Sequence, residues 1–340
     1  DLVLIKKHIA LVVSIVICLG LHSQDIHYSQ FYNSPLNLNP SLTGNYDGDL
    51  RLCGNHKSQW KSFANAYSTF SASADYGFCN PIKKIGRIGI GFQFNSDIAG
   101  DAKFGTNHYK LSLAYMFPIK DSSLVISLGG NGALNHHGIS FNLLNFGSQY
   151  DGESFDPTLP NNEIIDYDEY SYFDISAGFN ITWIQSPKLR INAGFSANHL
   201  NSPNKSFFEE RNISLPIKYL YHGKALWNAK DDFWLEPMFM IMHQQKYLEI
   251  NLGSMFRIEY NPLGLKYMFA GAILRARDAG IFVIGGNYQN INIAISYDVN
   301  LSKLTTISRG KGGIEISLIY ILEHPKPYKA PHYRKCPDFM

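Results

Sequence analysis

The chain has 340 residues, of which 17% are charged, and its 30 Lys and Arg residues nearly balance its 28 Asp and Glu residues, giving a net charge of +2. This balance argues against a nucleic-acid-binding protein, which concentrates basic residues on one surface. Tyr and Phe are abundant, with 21 and 22 residues. Membrane β-barrels place aromatic side chains at both lipid–water interfaces, so the composition is consistent with an exported membrane protein.

The N-terminus has the pattern of a secretory signal peptide over residues 1–23. A pair of lysines precedes an uncharged apolar stretch at residues 9–21, and the small residue Ser23 follows. The stretch is short for a transmembrane helix. Cleavage after Ser23 would make Gln24 the first residue. A lipoprotein anchor at Cys18 is the alternative, but the residues before Cys18 are bulky where small ones are expected.

Residues 24–49 contain no strand pattern and are polar and rich in Asn and Pro. The lumen of a small barrel is easily filled, so this segment is a candidate plug. A mobile periplasmic arm is the alternative, and the sequence leaves both open.

From residue 50 to residue 322, large apolar side chains alternate with small, polar or charged ones. Leu248, Leu252 and Phe256 fall on one face of such a run, whereas Glu249 and Asn251 fall on the other. A period of two is typical of a β-strand. The pattern predicts fourteen strands, at residues 50–60, 68–78, 85–97, 103–119, 122–140, 172–184, 188–200, 216–229, 232–245, 246–260, 267–278, 279–289, 291–301 and 312–322.

The connections between these strands also alternate. Those after several odd-numbered strands are long, notably residues 141–171, 201–215 and 302–311, whereas those after even-numbered strands are short. Bacterial outer-membrane barrels have an even number of strands, short periplasmic turns and longer outer loops.

The predicted fold is therefore an all-β transmembrane antiparallel barrel over residues 50–322, followed by a periplasmic tail at 323–340. A soluble β-sandwich is the alternative, but sandwiches break their strands more often. No shift in composition marks a second domain.

No catalytic, cofactor-binding or metal-binding residues are predicted. The acidic cluster Asp166, Asp168 and Glu169 lacks the spacing and glycine of a calcium loop. His136 and His137 are adjacent, so in a strand they would point to opposite faces and make a poor joint metal site. We therefore expect a protein that is not an enzyme.

Three cysteines remain after cleavage, with no metal-ligand spacing. Cys79 is predicted in the turn after the second strand and Cys336 in the tail, which places both on the periplasmic side. They could form a disulfide, although a free thiol or a covalent link to a partner remain alternatives, as they do for Cys53.

The long connection at residues 145–171 is acidic and aromatic and has no Lys or Arg. Aromatic side chains anchor protein interfaces and charges steer partners to them, so this loop is a candidate contact for a basic partner. An inert solvated loop is the alternative. The candidate partner-binding residues are Asp151, Glu153, Phe155, Asp156, Asp166, Tyr167, Asp168 and Tyr170.

An ordered series of short motifs is similar to the PorP/SprF family of type IX secretion system membrane proteins. The match covers most of the processed chain. The opening segment contributes Ser29, Gln30, Phe31, Pro35, Asn39, Pro40 and Gly44; the first strands contribute Gln59, Trp60, Gly89 and Gly91; later landmarks are Tyr297, Asp298, the run from Gly312 to Leu318, Cys336, Pro337 and Phe339. Asp338 and Met340 depart from the basic residue and terminal Phe that are common in the family.

The resemblance implies an outer-membrane accessory of the type IX system in Bacteroidota-type bacteria. Such proteins help surface proteins, often adhesins of gliding motility, to be secreted and attached, and they recognise the C-terminal sorting domain of their cargo. The implied partners are that cargo, other secretion components and outer-membrane lipid. The competing hypothesis is a transporter or porin that moves small solutes or hydrophobic compounds through the lumen.

Overall fold

The computed structural model describes residues 26–59, 67–79, 86–100, 102–119, 123–156, 158–160, 168–205, 213–259, 264–302, 305 and 310–322. The predicted signal peptide and C-terminal tail lie outside the described residues. Within the described part, no helix is long and apolar enough to span a membrane.

Fourteen strands are found among the described residues, close to the predicted positions. They are β1 Leu50–Gln59, β2 Tyr67–Cys79, β3 Arg87–Ala99, β4 Phe104–Ile119, β5 Leu124–Gly138, β6 Glu169–Ser186, β7 Leu189–Asn198, β8 Lys218–Lys230, β9 Phe233–Gln244, β10 Tyr247–Glu259, β11 Leu265–Arg275, β12 Ala279–Tyr288, β13 Ile291–Asn300 and β14 Lys311–Leu322.

The strands form one closed antiparallel barrel, as the sequence predicted. Each strand pairs with its neighbours in the chain, and β1 closes the sheet by pairing with both β2 and β14. Leu50 lies opposite Leu322 of β14 and opposite Tyr76 of β2. Closure leaves no unpaired strand edge, which a lipid bilayer requires because it offers no hydrogen-bonding partners.

The alternating pattern separates the exterior of the barrel from its interior. In β10, Leu248, Leu252 and Phe256 are exposed, whereas Glu249 and Asn251 are buried. The exterior thus carries large apolar side chains that suit lipid, and the polar side chains turn into the lumen. This confirms the predicted division of faces.

The two ends of the barrel differ in their connections. Residues 139–168, 199–217 and 301–310 connect strands at one end, here called the long-loop end, and include the helical turns Phe141–Leu143 and Gly147–Gln149. Residues 187–188, 231–232 and 289–290 connect strands at the opposite end, called the short-turn end.

The predicted strand boundaries differ from the observed ones by up to three residues. The sixth strand, predicted from residue 172, begins at Glu169, because the alternation of exposed and inward-facing residues continues through Tyr170. The second strand includes Cys79, which the sequence places in the following turn and which instead pairs with Arg87 of β3.

Residues 26–49, which precede β1, lie inside the barrel. They form three short helical turns, Phe31–Asn33, Pro35–Leu38 and Pro40–Leu42. The second and third turns begin with proline, whose missing N–H costs nothing at a helix start. We call residues 26–49 the lumenal segment; its position is that of a plug and not of a periplasmic arm.

The lumenal segment packs on an apolar sector of the inner wall. Phe31, Leu38 and Leu42 form one buried cluster with Met238 and Met240 of β9. Other members of the cluster are Leu220, Met255, Ile273, Ile281, Val283 and Ala294, from β8 and β10 to β13. Burying these side chains favours docking of the segment by roughly 1.5–3 kcal/mol for each large one.

We predict that the long-loop end faces the cell exterior. Asp156→Cys lies at that end and Lys188→Cys in the turn between β6 and β7; Asp156 is partly exposed and Lys188 is exposed. A membrane-impermeant thiol reagent should label only Asp156→Cys on intact cells, with both labelled after permeabilisation. Labelling of Lys188→Cys alone on intact cells would reverse the orientation.

Candidate functional site in the barrel lumen

The site begins where the lumenal segment meets the wall nearest the long-loop end. Glu315 of β14 is fully buried and accepts hydrogen bonds from the backbone N–H groups of Ser29, at 2.7 Å, and Gln30, at 3.0 Å. A buried carboxylate needs such donors, because its desolvation otherwise costs several kcal/mol. The segment therefore supplies hydrogen bonds to a charge that the barrel wall buries.

Ser29 also binds a network of charged side chains. Its hydroxyl donates to Asp298 Oδ2 at 2.6 Å and accepts from Arg275 Nη2 at 2.9 Å. Arg275 Nε lies 3.6 Å from Glu249 Oε1, and Lys57 Nζ lies 3.9 Å from Asp298 Oδ2. Lys57, Glu249, Arg275, Asp298 and Glu315 are each at most 3% exposed. We call these five residues the charged cluster.

Polar side chains of the segment continue this network along the lumen. Gln30 Nε2 donates to Ser296 Oγ at 3.0 Å, and Ser317 Oγ donates to Gln30 Oε1 at 2.7 Å. Asn37 Nδ2 donates to Asn95 Oδ1 at 3.1 Å. These bonds join the segment to β13, β14 and β3.

Asn39 fixes the segment to β6 and β7. Its side-chain nitrogen lies 3.0 Å from the carbonyl oxygen of Phe179 and 3.1 Å from that of Phe195. Its side-chain oxygen accepts from the backbone N–H of Ser41 at 3.0 Å. The same side chain thus starts the helical turn Pro40–Leu42 and attaches it to the wall.

Asp75 of β2 holds the segment nearer the short-turn end. Arg51 Nε and Nη2 donate to the two oxygens of Asp75 at 2.9 and 2.8 Å, and the backbone N–H of Gly44 donates to the same carboxylate at 2.7 Å. Arg51 also donates to the carbonyl oxygen of Leu42 at 3.0 Å. A bidentate Arg–Asp pair of this kind is directional, so it fixes the backbone between Leu42 and Gly44.

Wall glycines let the segment backbone approach closely. A Cβ atom on Gly129 would lie 2.6 Å from the carbonyl oxygen of Pro40 and 2.6 Å from Cα of Ser41. A Cβ atom on Gly89 would meet the carbonyl oxygen of Thr43, and one on Gly178 the side chain of Asn39. Any larger residue at these three positions would push the segment away from the wall.

A cavity of about 370 Å³ remains between the segment and the wall. Phe31, Tyr32 and Leu38 line it from the segment, and Arg190 and Lys224 line it from β7 and β8. Both cations are paired: Arg190 with Asp47 at 2.9 Å, and Lys224 with Glu236 at 3.0 Å. The cavity is mostly apolar with a few polar groups, a composition typical of small-molecule sites.

The structure brings most of the family-motif residues together in this site. Ser29, Gln30, Phe31, Pro35, Asn39, Pro40 and Gly44 belong to the lumenal segment, and Asp298 binds Ser29. Tyr297 faces the barrel exterior, and Gln59 is the last residue of β1. Trp60, Cys336, Pro337 and Phe339 lie outside the described residues.

Sequence reasoning missed most of the wall partners of the segment. Lys57, Asp75, Glu249 and Arg275 were not recognised as site residues, and Glu315 was noted only within a motif. A charged residue at an inward-facing position of a strand could have indicated these wall partners, because such a residue requires a buried partner.

The candidate partner-binding residues lie apart from the lumen, at the long-loop end. Asp151, Glu153, Phe155, Asp156 and Asp168 are exposed or nearly so. Asp151 accepts from the backbone N–H groups of Glu153 and Ser154, and Asp156 accepts from Thr158. These hydrogen bonds lower the pKa of both carboxyl groups, so they stay ionised at neutral pH. Asp166 and Tyr167 lie outside the described residues.

Tyr170 lies in β6 and not in the loop. Its ring stacks on that of His137, with centroids 4.9 Å apart, and the ring of Tyr172 stacks on His137 at 5.5 Å. His137 is buried, whereas the His136 side chain is 38% exposed, so the two histidines point to opposite faces as predicted. Among the described residues, no group of three or more His, Cys, Asp or Glu side chains could hold a metal ion.

We predict that Asp75→Asn strongly destabilises the barrel, because it leaves the Arg51 guanidinium buried without its carboxylate. Breaking a buried pair costs about 3–5 kcal/mol. The temperature at which the folded form unfolds in a heat-dependent gel-shift assay should fall clearly. Glu236→Gln is the control, since its partner Lys224 is 46% exposed and such pairs contribute under about 1 kcal/mol. Equal shifts for the two variants would contradict the assigned role of Asp75.

We also predict that Gly129→Ala loosens the lumenal segment, whereas Gly130→Ala does not. The adjacent Gly130 lies on the other face, where an added Cβ atom would be 3.4 Å from the carbonyl oxygen of Ser176, an ordinary contact. Overpacking costs roughly 1–3 kcal/mol, so amide hydrogen exchange in residues 28–45 should quicken roughly 5- to 150-fold in Gly129→Ala. Unchanged exchange in that variant would show that the segment does not depend on this contact.

Comparison with known proteins places the chain in a family. Residues 21–320 match the family described as type IX secretion system membrane protein PorP/SprF. No curated protein sequence matches the chain.

Two solved structures illustrate the remote similarity of the barrel to others. The Pseudomonas putida toluene transporter TodX is 11% identical, with 86% of this chain and 95% of that chain covered and a TM-score of 0.45. A Pseudomonas aeruginosa FadL homologue is 10% identical, with 83% and 92% covered and a TM-score of 0.47. Neither similarity is close enough to indicate a shared function.

The closed antiparallel barrel with an apolar exterior is the form in which chains cross the bacterial outer membrane. Together with the match over residues 21–320, it shows that this chain belongs to the PorP/SprF family of type IX secretion system membrane proteins and is an integral outer-membrane barrel.

Proposed function

We propose that this protein is a non-enzymatic accessory of the type IX secretion system that binds adhesin-like cargo through its C-terminal sorting domain and supports secretion or surface attachment of that cargo. Membership in the family supports the link to secretion and to other secretion components. The position of the lumenal segment inside the barrel supports the rest of the proposal.

The segment occupies the space that a transported polypeptide would need. Ser29 is bonded to β13 and β14, and Asn39 to β6 and β7, so the segment contacts well-separated parts of the wall. Displacing it would leave Glu315 and Asp75 without their backbone donors, at a cost of several kcal/mol for each buried charge. Partner proteins are therefore bound at an end of the barrel and do not pass through it.

The long-loop end has the features of a face that binds partners. Its longest connection presents Asp151, Glu153, Asp156 and Asp168 with the exposed ring of Phe155. Exposed carboxylates attract a basic partner over about 8–10 Å at physiological salt, and an aromatic ring can anchor it. Tyr170, which stacks on His137, supports the base of this face and is less suited to direct contact.

A small-solute transporter is the second candidate function, and the cavity favours it. The space of about 370 Å³ beside Tyr32 and Lys224 is large enough for a small organic molecule. Uptake of a defined solute by liposomes that contain the protein, abolished by filling the cavity with Leu38→Trp, would support that function over the first.

The test of cargo binding is affinity capture from native membranes in which cargo proteins with the sorting domain are present. Asp151→Asn, Asp156→Asn and Asp168→Asn, combined in one variant, remove charge from the long-loop end. Asn keeps the side-chain oxygen that accepts the N–H groups of Glu153 and Ser154, so the loop turns survive. We expect several-fold less cargo at low salt and a smaller difference at high salt.

The matched control removes carboxylates from the opposite end, with Asp231→Asn and Asp232→Asn in the turn between β8 and β9. This variant should capture as much cargo as the unmodified protein. Equal capture by all three proteins at low salt would remove the electrostatic part of the proposal. Absence of sorting-domain proteins from the unmodified sample would contradict cargo binding itself.

A further inference from the structure

The lumenal segment runs along the barrel from one end to the other. Near the short-turn end, the Tyr46 hydroxyl donates to the carbonyl oxygens of Asp49 and Asp75, at 2.8 and 2.6 Å. The backbone N–H of Asp49 bonds to Leu322, the last residue of β14, at 2.9 Å. The C-terminal end of the segment is therefore fixed at the short-turn end, where β1 begins.

The other end of the segment reaches the opposite half of the barrel. Ser29 binds Arg275, which is the last residue of β11, and Asp298, which lies near the end of β13. Both strands end at the long-loop end. The carbonyl oxygen of His27 lies 3.5 Å from Lys57 Nζ, close to the end of β1. From residue 49 back to residue 26, the segment therefore runs from the short-turn end to the long-loop end.

The charged cluster makes this direction specific. The backbone N–H groups of Ser29 and Gln30 both point to Glu315, and the Ser29 hydroxyl lies between Asp298 and Arg275. If the segment folded back toward the short-turn end, Ser29 would not reach the charged cluster. Bringing Ser29 to it requires the chain to cross the lumen.

We propose that the lumenal segment begins at the long-loop mouth of the barrel, so that Ile26 is accessible from the cell surface beside the long loops. Ile26 and His27 are partly exposed, whereas Tyr28 and Ser29 are buried. The N-terminal end is then a surface element that an extracellular partner can contact. This inference goes beyond the proposed function, because it holds whichever partner is bound.

Single cysteines introduced into a background without the native cysteines test the proposal on the full chain in intact cells. Ile26→Cys reports the N-terminal end, and Asp231→Cys reports the short turn between β8 and β9. Ser41→Cys reports docking, since Ser41 is fully buried against the wall. A membrane-impermeant maleimide should label Ile26→Cys on intact cells and Asp231→Cys only after permeabilisation, while Ser41→Cys stays unlabelled in both conditions.

Two results would overturn the proposal. Labelling of Ile26→Cys only after permeabilisation would place the N-terminal end on the periplasmic side. Labelling of Ser41→Cys at the rate of Ile26→Cys would show that the segment is not held in the lumen as described. The Asp231→Cys control distinguishes both results from an inverted barrel, which would label that turn on intact cells.

Discussion

The structure depends on a mutual requirement between buried carboxylates of the barrel wall and backbone N–H groups of the lumenal segment. Glu315 binds the amides of Ser29 and Gln30, and Asp75 binds the amide of Gly44. Burying either carboxylate without these donors would raise the free energy of the folded state. Burying the irregular backbone of the segment without acceptors would raise it as well. The wall and the segment therefore fold as one unit, although they are separate in sequence.

The lumen has two chemically different sides, and the segment matches both. Phe31, Leu38 and Leu42 pack on the Met- and Ile-rich wall, while Gln30 and Asn39 bond to the polar wall. A channel for polar solutes would keep its inner surface wet and open. Apart from the cavity of about 370 Å³ beside Tyr32 and Lys224, this lumen is instead filled by the segment, much like the core of a soluble domain.

The barrel could be predicted from the sequence because alternation of side chains is a local property. In the adjacent pair Leu248 and Glu249, the apolar residue already indicates the exterior face of the strand and the charged residue the lumenal face. The site could be predicted only in part. The composition of residues 24–49 made a plug conceivable, but the pairing of Ser29 with Glu315 joins positions that are far apart in the chain. One boundary failed where alternation continued into a connection, at Glu169, since polar aromatic strand ends resemble loops.

Single-channel conductance in planar bilayers tests most directly whether the segment closes the lumen. The full chain should give small conductance or none. A variant in which residues 26–46 are deleted should give large conductance, provided that the barrel still shows the heat-dependent gel shift of a folded barrel. The Gly130→Ala variant, altered only on the exterior, should behave like the full chain. Large, steady conductance from the full chain, unchanged by the deletion, would contradict the account.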